Sequence, residues 1–343
     1  MAQPTPIYPA YADRFRCIGP ACEDTCCQGW TVPIDQAAWE KYQRLPASPL
    51  RSLIEANILR TPQPGPHEKD EKQHPFATIR MDAEHQCPML TADRLCAIQA
   101  GFGEAMLSHT CHTFPRIVHT LGDLQEKALA LSCPEAARLV LLTPDLLKPL
   151  ESQSGRANGI EDEDALPPNF WSIRKTVLAL VRNRVYPLWQ RLFLLSILCQ
   201  RLDAISRGEL NRSVIEFLAD FDSTVSTGAL RPAMNSLPVD STAQVDVVLR
   251  LAGLMLHKSN VRPRFVECVQ AFTTGIGNGP TATLESLTAH YNTAHDRYYE
   301  PFFQRHSHIL ENYLVNTILR CQFPFGKADV LPEAVILGKG FRQ

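Results

Sequence analysis

The residues with most chemical potential in this chain are its cysteines. Eight of the eleven fall in the first 133 of 343 residues. Cys17, Cys22, Cys26 and Cys27 share one loop, F-R-C-I-G-P-A-C-E-D-T-C-C-Q-G-W, and Cys87, Cys96, Cys111 and Cys133 follow in turn-like settings. Cys199, Cys268 and Cys321 are scattered through helical sequence. Soft thiolates gathered this way suit zinc or an iron–sulfur cluster, both of which bind sulfur through short, strong bonds that fix loops in place. A subset of the eight N-terminal cysteines is the expected ligand set. It allows one four-iron cluster with spares or two four-sulfur sites. Cys26 and Cys27 are not expected to serve one metal together, because consecutive side chains diverge.

A disulfide framework is the competing reading, and it needs an oxidising compartment. The opening residues Met1 to Ala10 contain no apolar run of signal-peptide type. The most apolar stretch, Leu188 to Cys199, is interrupted by Gln190 and Arg191 and falls short of a membrane span. The expectation is a cytoplasmic protein with reduced thiols and no membrane partner, in which clustered cysteines mean metal or catalysis. Net charge is −2 and the pI about 6.6, so no broad basic surface for nucleic acid is implied.

Other residues bear on chemistry less directly. In Cys111-His112-Thr113-Phe114-Pro115-Arg116, Arg116 could balance thiolate charge, and His109 and His112 are potential ligands that also read as polar surface. Gly275-Ile276-Gly277-Asn278-Gly279 has a glycine-rich look but no strand before it, and Pro280 ends it, so it reads as a flexible linker. Near the C-terminus, Glu311, Asn312 and Asn316 form a polar patch on a helix flanked by Tyr298, Tyr299, Phe302 and Phe303. Asn312 and Asn316, four apart, share a face. The patch is the candidate catalytic or substrate-positioning group; an inter-helix polar contact is the alternative. No cofactor-binding residues stand out.

The elements that must position these groups are mainly α-helical. Asp35 is a candidate N-cap for a helix carrying Trp39, Tyr42 and Leu45 and ending at Pro46. A second helix is expected over Leu50 to Leu59, an exposed loop over Thr61 to Pro75, and a short strand over Phe76 to Met81. Leu124 to Leu131 reads as a paired strand or a short helix. A helix follows Cys133-Pro134, with proline at its favoured first position. Residues 1–150 thus read as a loop-rich, cysteine-stapled module with few short strands, and 151–168 as a linker. Residues 169–343 read as an α-helical domain with stripes at Phe170 to Arg184, Pro187 to Ile205, Leu210 to Phe221, Ala243 to His257 and Arg262 to Phe272. A long helical pattern from Thr281 to Arg320 is expected to break or bend near Pro301.

The run from Phe15 to Trp30, followed by Val32-Pro33-Ile34-Asp35, resembles the opening signature of the flagellin lysine-N-methylase family. Cys87-Pro88-Met89-Leu90, Leu95-Cys96-Ala97-Ile98, Thr110 to Arg116 and Leu131 to Ala137 match it in order. Leu310-Glu311-Asn312-Tyr313-Leu314-Val315-Asn316 and Phe323-Pro324-Phe325 do so as well. The cysteine part alone is similar to a broader group of zinc- or iron-chelating domains. The resemblance implies methylation of lysine ε-amines on flagellin, with S-adenosyl-L-methionine as donor and a [4Fe-4S] cluster held by the cysteines. A lysine must lose its proton before its nitrogen attacks a methyl group, and Glu311 is a candidate base. The spacing Cys22, three residues, Cys26-Cys27 departs from the C-x-x-x-C-x-x-C of radical enzymes, which makes polar methyl transfer the simpler expectation. The alternatives are a zinc-stapled protein-binding module without catalysis and an iron–sulfur electron-transfer protein.

Overall fold

The computed structural model describes residues 11–62, 75–121, 124–147, 167–257, 261 and 263–325. The chain is mainly α-helical, as expected, with a few short strands in its N-terminal half. After α1 (Tyr11–Arg14) and the cysteine loop come β1 (Pro33–Ile34), α2 (Gln36–Gln43), α3 (Pro49–Asn57), β2 (Ile58–Arg60) and β3 (Ala77–Ile79). The three strands form an antiparallel sheet with β3 in the middle, Pro33 opposite Thr78 and Ile58 opposite Ile79. Asp35 caps α2 by accepting from the Ala38 N–H at 2.9 Å. The helix expected to reach Leu59 ends at Asn57, because Ile58 to Arg60 leave it to pair with β3. Strand pairing outweighs helix continuation there.

Next come α4 (Ala97–Phe102), α5 (His109–Thr113) and the antiparallel hairpin of β4 (Arg116–Leu121) with β5 (Leu124–Leu129). The strand reading of the Leu124–Leu131 segment therefore holds for Leu124–Leu129. Helix α6 (Pro134–Leu142) follows, with Pro134 in its first turn. Most of the Thr61–Pro75 loop and most of the expected linker, 151–166, lie outside the described residues. Beyond them are α7 (Phe170–Val181), α8 (Leu188–Ser206), α9 (Val214–Ser226), α10 (Arg231–Asn235), α11 (Ser241–Leu256) and α12 (Pro263–Gly275). Helix α9 starts four residues later than its apolar stripe suggests. Ser213 and Glu216 form a reciprocal capping box that sets the start.

The final helical pattern is interrupted twice. Helix α13 (Leu284–Ala294) runs into a π-helical turn at His295–Tyr299, then α14 (Glu300–Arg305), and His306 breaks the chain before α15 (His308–Arg320). Pro301 has no N–H to give to a carbonyl four residues back, and the wide turn lies immediately ahead of it. The Gly275–Gly279 segment is anchored rather than a free linker: Ile276 is buried and its carbonyl is hydrogen-bonded to His290 Nδ1 at 3.0 Å.

Three apolar cores hold these elements. The first joins Tyr11, Phe15, Leu129 and Val140 to Val177, Leu198, Val315 and Leu319, so it draws on both sides of the 151–168 segment. The second gathers Ile34, Tyr42, Ile54, Ile79 and Met89 around the three-stranded sheet. The third is small: Val245, Ile276 and Leu287, between α11, α13 and the turn after α12. Among the described residues, no helix is long and apolar enough to cross a membrane.

Polar groups are buried inside the first core. Arg174 and Glu126, both almost fully buried, pair at 3.1 Å, and Arg174 also donates to the Ile318 carbonyl at 2.9 Å. Burial pushes the Glu126 carboxyl from 4.5 up to about 7, with Arg174 pulling the other way. The folded protein therefore holds this proton more tightly than the unfolded chain. The stability it contributes is complete below about pH 4.5 and is lost as the pH rises through about 7. Glu126→Gln should remove that decline. Melting temperatures from about pH 5 to about pH 8 should show the variant gaining on the parent as the pH rises.

Candidate functional site

Four of the eight cysteines pack against the second core. Cys87 belongs to it, and Cys27, Cys96 and Cys111 lie on its surface. Backbone pairing brings them there. The Cys87 N–H donates to the Cys27 carbonyl at 2.7 Å, and Leu90 bridges to Cys96. Cys96 is the N-cap residue of α4. Cys111 sits in the first turn of α5, where the buried Ser108 hydroxyl accepts from its N–H at 3.2 Å. Asp35 ties this turn to α2 by accepting from the His109 N–H at 2.7 Å. Burial raises the Cys111 thiol, and it pushes Cys87 up to about 11 against the pull of the Met89 N–H.

Cys26 and Cys27 stand with their sulfurs 4.0 Å apart. They do not diverge as consecutive side chains in extended backbone would, because they occupy a turn in which Thr25 Oγ1 accepts from the Cys27 N–H at 3.1 Å. The hydrogen bond from Cys27 lowers Cys26 to about 7 and raises Cys27. Only one of the pair ionises readily unless a cation is close by. Trp30 closes the turn, donating to the Cys26 carbonyl at 2.8 Å and stacking on Phe114.

Cys17, Cys22 and Cys133 are not among the cysteines packed on the second core. Cys133 is the N-cap residue of α6 and packs on the first core. Its thiol is raised by burial, with the Ala136 and Glu135 N–H groups opposing, and charge on Cys22 or Cys17 raises it further. An ion pair from Arg138 of α6 to Glu23 holds the Cys22 loop near the start of that helix. Arg116 stacks on Phe15 and donates to its carbonyl at 3.1 Å, two residues before Cys17. His112 faces Glu104 at 3.4 Å on the surface.

Among the described residues, no three His, Cys, Asp or Glu side chains converge closely enough to hold a single metal ion. The donor chemistry still fits a thiolate-bound group. All eight cysteines are free thiols, and Cys96, Cys111 and Cys133 sit in the first turns or N-caps of helices. A cube-shaped cluster takes each thiolate at a different corner, so it does not require sulfurs that meet at one point.

The C-terminal candidates have a different setting. Glu311, Asn312 and Asn316 are 4%, 2% and 0% exposed, so they line no open groove. Glu311 accepts from Arg184 Nε and Nη2 at 3.1 and 3.0 Å and from Arg191 Nη1 at 2.8 Å. Asn312 donates to the Val140 and Thr143 carbonyls at 2.9 and 2.7 Å, satisfying the end of α6. Asn316 accepts from the Leu129 N–H and the Tyr11 hydroxyl and donates to the Leu129 carbonyl, at 3.1, 2.8 and 2.9 Å. The arginines that clamp Glu311 were visible in the sequence only as interruptions of apolar stripes, Arg191 among them.

Two predictions follow from this burial. Asn316→Ala strands the Leu129 backbone groups and the Tyr11 hydroxyl, and should cost about 2–4 kcal/mol in denaturant unfolding, judged from two or three buried bonds lost. Arg191→Ala should cost more than Arg184→Ala. The Arg191 side chain is 4% exposed and its partner would lose its buried cation, whereas Arg184 is 49% exposed and water can replace it. Equal losses in the two variants would contradict the buried-clamp description.

Comparison with known proteins bears on both regions. Residues 174–337 match the family described as the FliB lysine N-methylase C-terminal domain. The chain is 34% identical over 155 residues, 45% of its length, to the flagellar biosynthetic protein FliU of Salmonella muenchen, and the match covers 87% of that protein. It is 34% identical over 148 residues (43% of the chain) to the lysine-N-methylase of Salmonella typhimurium. It is 33% identical over the same number to that of Salmonella choleraesuis. These matches span 35%, about a third, of each lysine-N-methylase. No solved structure matches the chain. Taken with the cysteine and C-terminal motifs, these matches show that the chain belongs to the flagellin lysine-N-methylase family.

Proposed function

We propose that this protein is a lysine N-methyltransferase acting on flagellin, with S-adenosyl-L-methionine as methyl donor, in the cytoplasm. The observation that carries the reading is the family match over residues 174–337, which takes in α7 to α15 and the buried clamp on α15. The N-terminal cysteines would hold the metal group, with [4Fe-4S] preferred and zinc the alternative. Bound there, an iron–sulfur cluster would supply a redox centre and fix the loops between Cys17 and Cys133.

The reaction itself is simple to balance. A neutral lysine ε-nitrogen attacks the methyl carbon of the donor, the carbon–sulfur bond breaks, and S-adenosylhomocysteine leaves with the bonding pair. The nitrogen must first lose its proton, since its ordinary pKa is about 10.4. Glu311 is poorly placed to take it, because its two oxygens are already committed to Arg184 and Arg191. The proposed role of Glu311, Asn312 and Asn316 is to position α15 against α6, β5 and α8, and so to hold the site in shape. A protein substrate also needs a surface. Tyr298, Tyr299 and Phe302 are exposed beside the π-helical turn, and Val247, Leu251 and Leu254 are exposed along α11.

The test is incubation of the anaerobically purified full chain with flagellin and S-adenosyl-L-methionine, with lysine methylation read by mass spectrometry. Methylated lysines that require both donor and protein are the expected outcome. A brown protein with intact iron and no methyl transfer would point to electron transfer, and a colourless protein with stoichiometric zinc and no transfer to a binding module. Replacing Cys199, Cys268 or Cys321 by serine should leave metal content unchanged. Replacing Cys22 or Cys26 should strip metal and destabilise the N-terminal half, because metal binding free energy there is also folding free energy.

A further inference from the structure

We propose that the exposed rings of the π-helical turn and α14 are the docking face for the protein substrate, and that this face grips a protonated lysine side chain of that substrate. This rests on the lysine-methyltransferase reading above and names where its substrate is held.

The rings form a continuous ladder. His295 stacks on Tyr299 with centroids 5.1 Å apart, Tyr299 meets Phe303 at 4.5 Å, Phe303 meets Phe302 at 5.1 Å, and Phe302 meets His306 at 4.7 Å. Side chains three or four apart on a helix are neighbours, yet their mutual contacts do not bury these. Tyr298, Tyr299 and Phe302 remain 63%, 46% and 43% exposed. Among the described residues, nothing from α11 to α14 joins the first core. This stretch has only the small core of Val245, Ile276 and Leu287, and Tyr291, packed on it, joins the ladder at 6.2 Å from His295. The ladder thus leads outward from a small core to open rings. A π-helical turn in such a place is frequent at functional sites.

Charge selects the occupant. The face of an aromatic ring attracts a cation, and Arg297 already lies over the Tyr298 ring at 5.3 Å. Asp296 and Glu300 stand on either side of Tyr299 in the sequence, and among the described residues neither pairs with a lysine or arginine. Asp296 takes His295 Nδ1 at 3.0 Å, and Glu300 takes the Gln304 amide at 3.1 Å. Arg305 is turned to the Pro301 carbonyl at 3.1 Å. Burial raises the Tyr299 hydroxyl, and charge on Tyr291 and Glu300 raises it further, so Glu300 acts on the ladder itself. A lysine matches both features, with an apolar stem for the rings and an ammonium for the carboxylates. An apolar partner would cover the same carboxylates and supply no cation, which is costly. The carboxylates also fix what this lysine does. Negative charge nearby favours its protonated form, and a protonated lysine cannot attack a methyl group. The face docks one lysine, and the neutral acceptor lies elsewhere.

Flagellin binding to the full chain without donor, followed by methyl transfer on the same preparations, tests this. Flagellin acetylated on its lysines, which removes their charge, should bind about tenfold more weakly than flagellin dimethylated on them, which keeps it. The Tyr298→Ala/Phe302→Ala double variant should raise the flagellin KM by about tenfold with kcat within about twofold. Its melting temperature should stay at the parental value, because neither ring belongs to a core. Glu300→Gln, which keeps the side-chain shape, should raise KM in the same sense. Parental KM in both variants, or equal binding of acetylated and dimethylated flagellin, would overturn the docking face and leave methyl transfer standing. Lysine-dependent binding that the double variant loses, with no methyl transfer by the parent, would sink the methyltransferase reading and keep the docking face. A parent dimer in sedimentation that the double variant turns into a monomer would make the face a self-interface instead. A parent that binds no flagellin would end both readings.

Discussion

A buried carboxamide holds this protein's two halves in register. Asn316 on α15 meets both the N–H and the C=O of Leu129, the outward-facing backbone groups at the end of β5, and also takes the Tyr11 hydroxyl from the first described residue. A strand end with no such partner would leave backbone groups unpaired inside an apolar core, which is costly. Apolar packing alone would tolerate sliding of α15 along β5 and α6. Directional bonds at Asn312, Asn316 and Glu311 allow one register only. Asn312 bonds α6, Asn316 bonds β5 and α1, and Glu311 bonds Arg191 of α8 and Arg184 ahead of it, so α15 is fixed to all of these at once.

The same demand explains the buried charges. Arg174 bridges Glu126 of β5 to the Ile318 carbonyl of α15, and Arg191 bridges the Val181 carbonyl of α7 to Glu311. Buried pairs of this kind return little net stability, since desolvation offsets the attraction. Burial keeps the Glu126 carboxyl high despite its arginine, in line with that balance. What these pairs provide is placement. Removing one partner is costly because the other remains buried.

Local signals made much of the fold legible in the sequence. Asp35 announced α2, Pro134 announced α6, and the apolar stripes located α7, α8 and α11 to within a few residues. Where the reading failed, a distant strand partner or a local cap decided. Ile58 to Arg60 left a helical pattern to pair with β3, and Ser213 with Glu216 moved the start of α9. The cysteines were legible as a metal-type set, but not which core each one packs against. Glu311, Asn312 and Asn316 stood out as polar residues on an otherwise apolar helix. A polar side chain in such a pattern looks the same whether it faces a cleft or a buried partner, and only the positions of Arg184 and Arg191, of the Val140 and Thr143 carbonyls and of the Leu129 backbone show what these three meet.

Helix α6 connects the two regions that carry the family resemblance. Its last carbonyls are held by Asn312 of α15, and its N-cap is Cys133. A helix of nine residues is close to rigid over that length. The bonds at one end therefore set where the Cys133 sulfur sits at the other, while Arg138 on the same helix draws in the loop bearing Cys22 through Glu23. The C-terminal motif and the cysteine motif thus act on one element from opposite ends. A change in the α15 clamp therefore reaches the Cys133 thiol through α6.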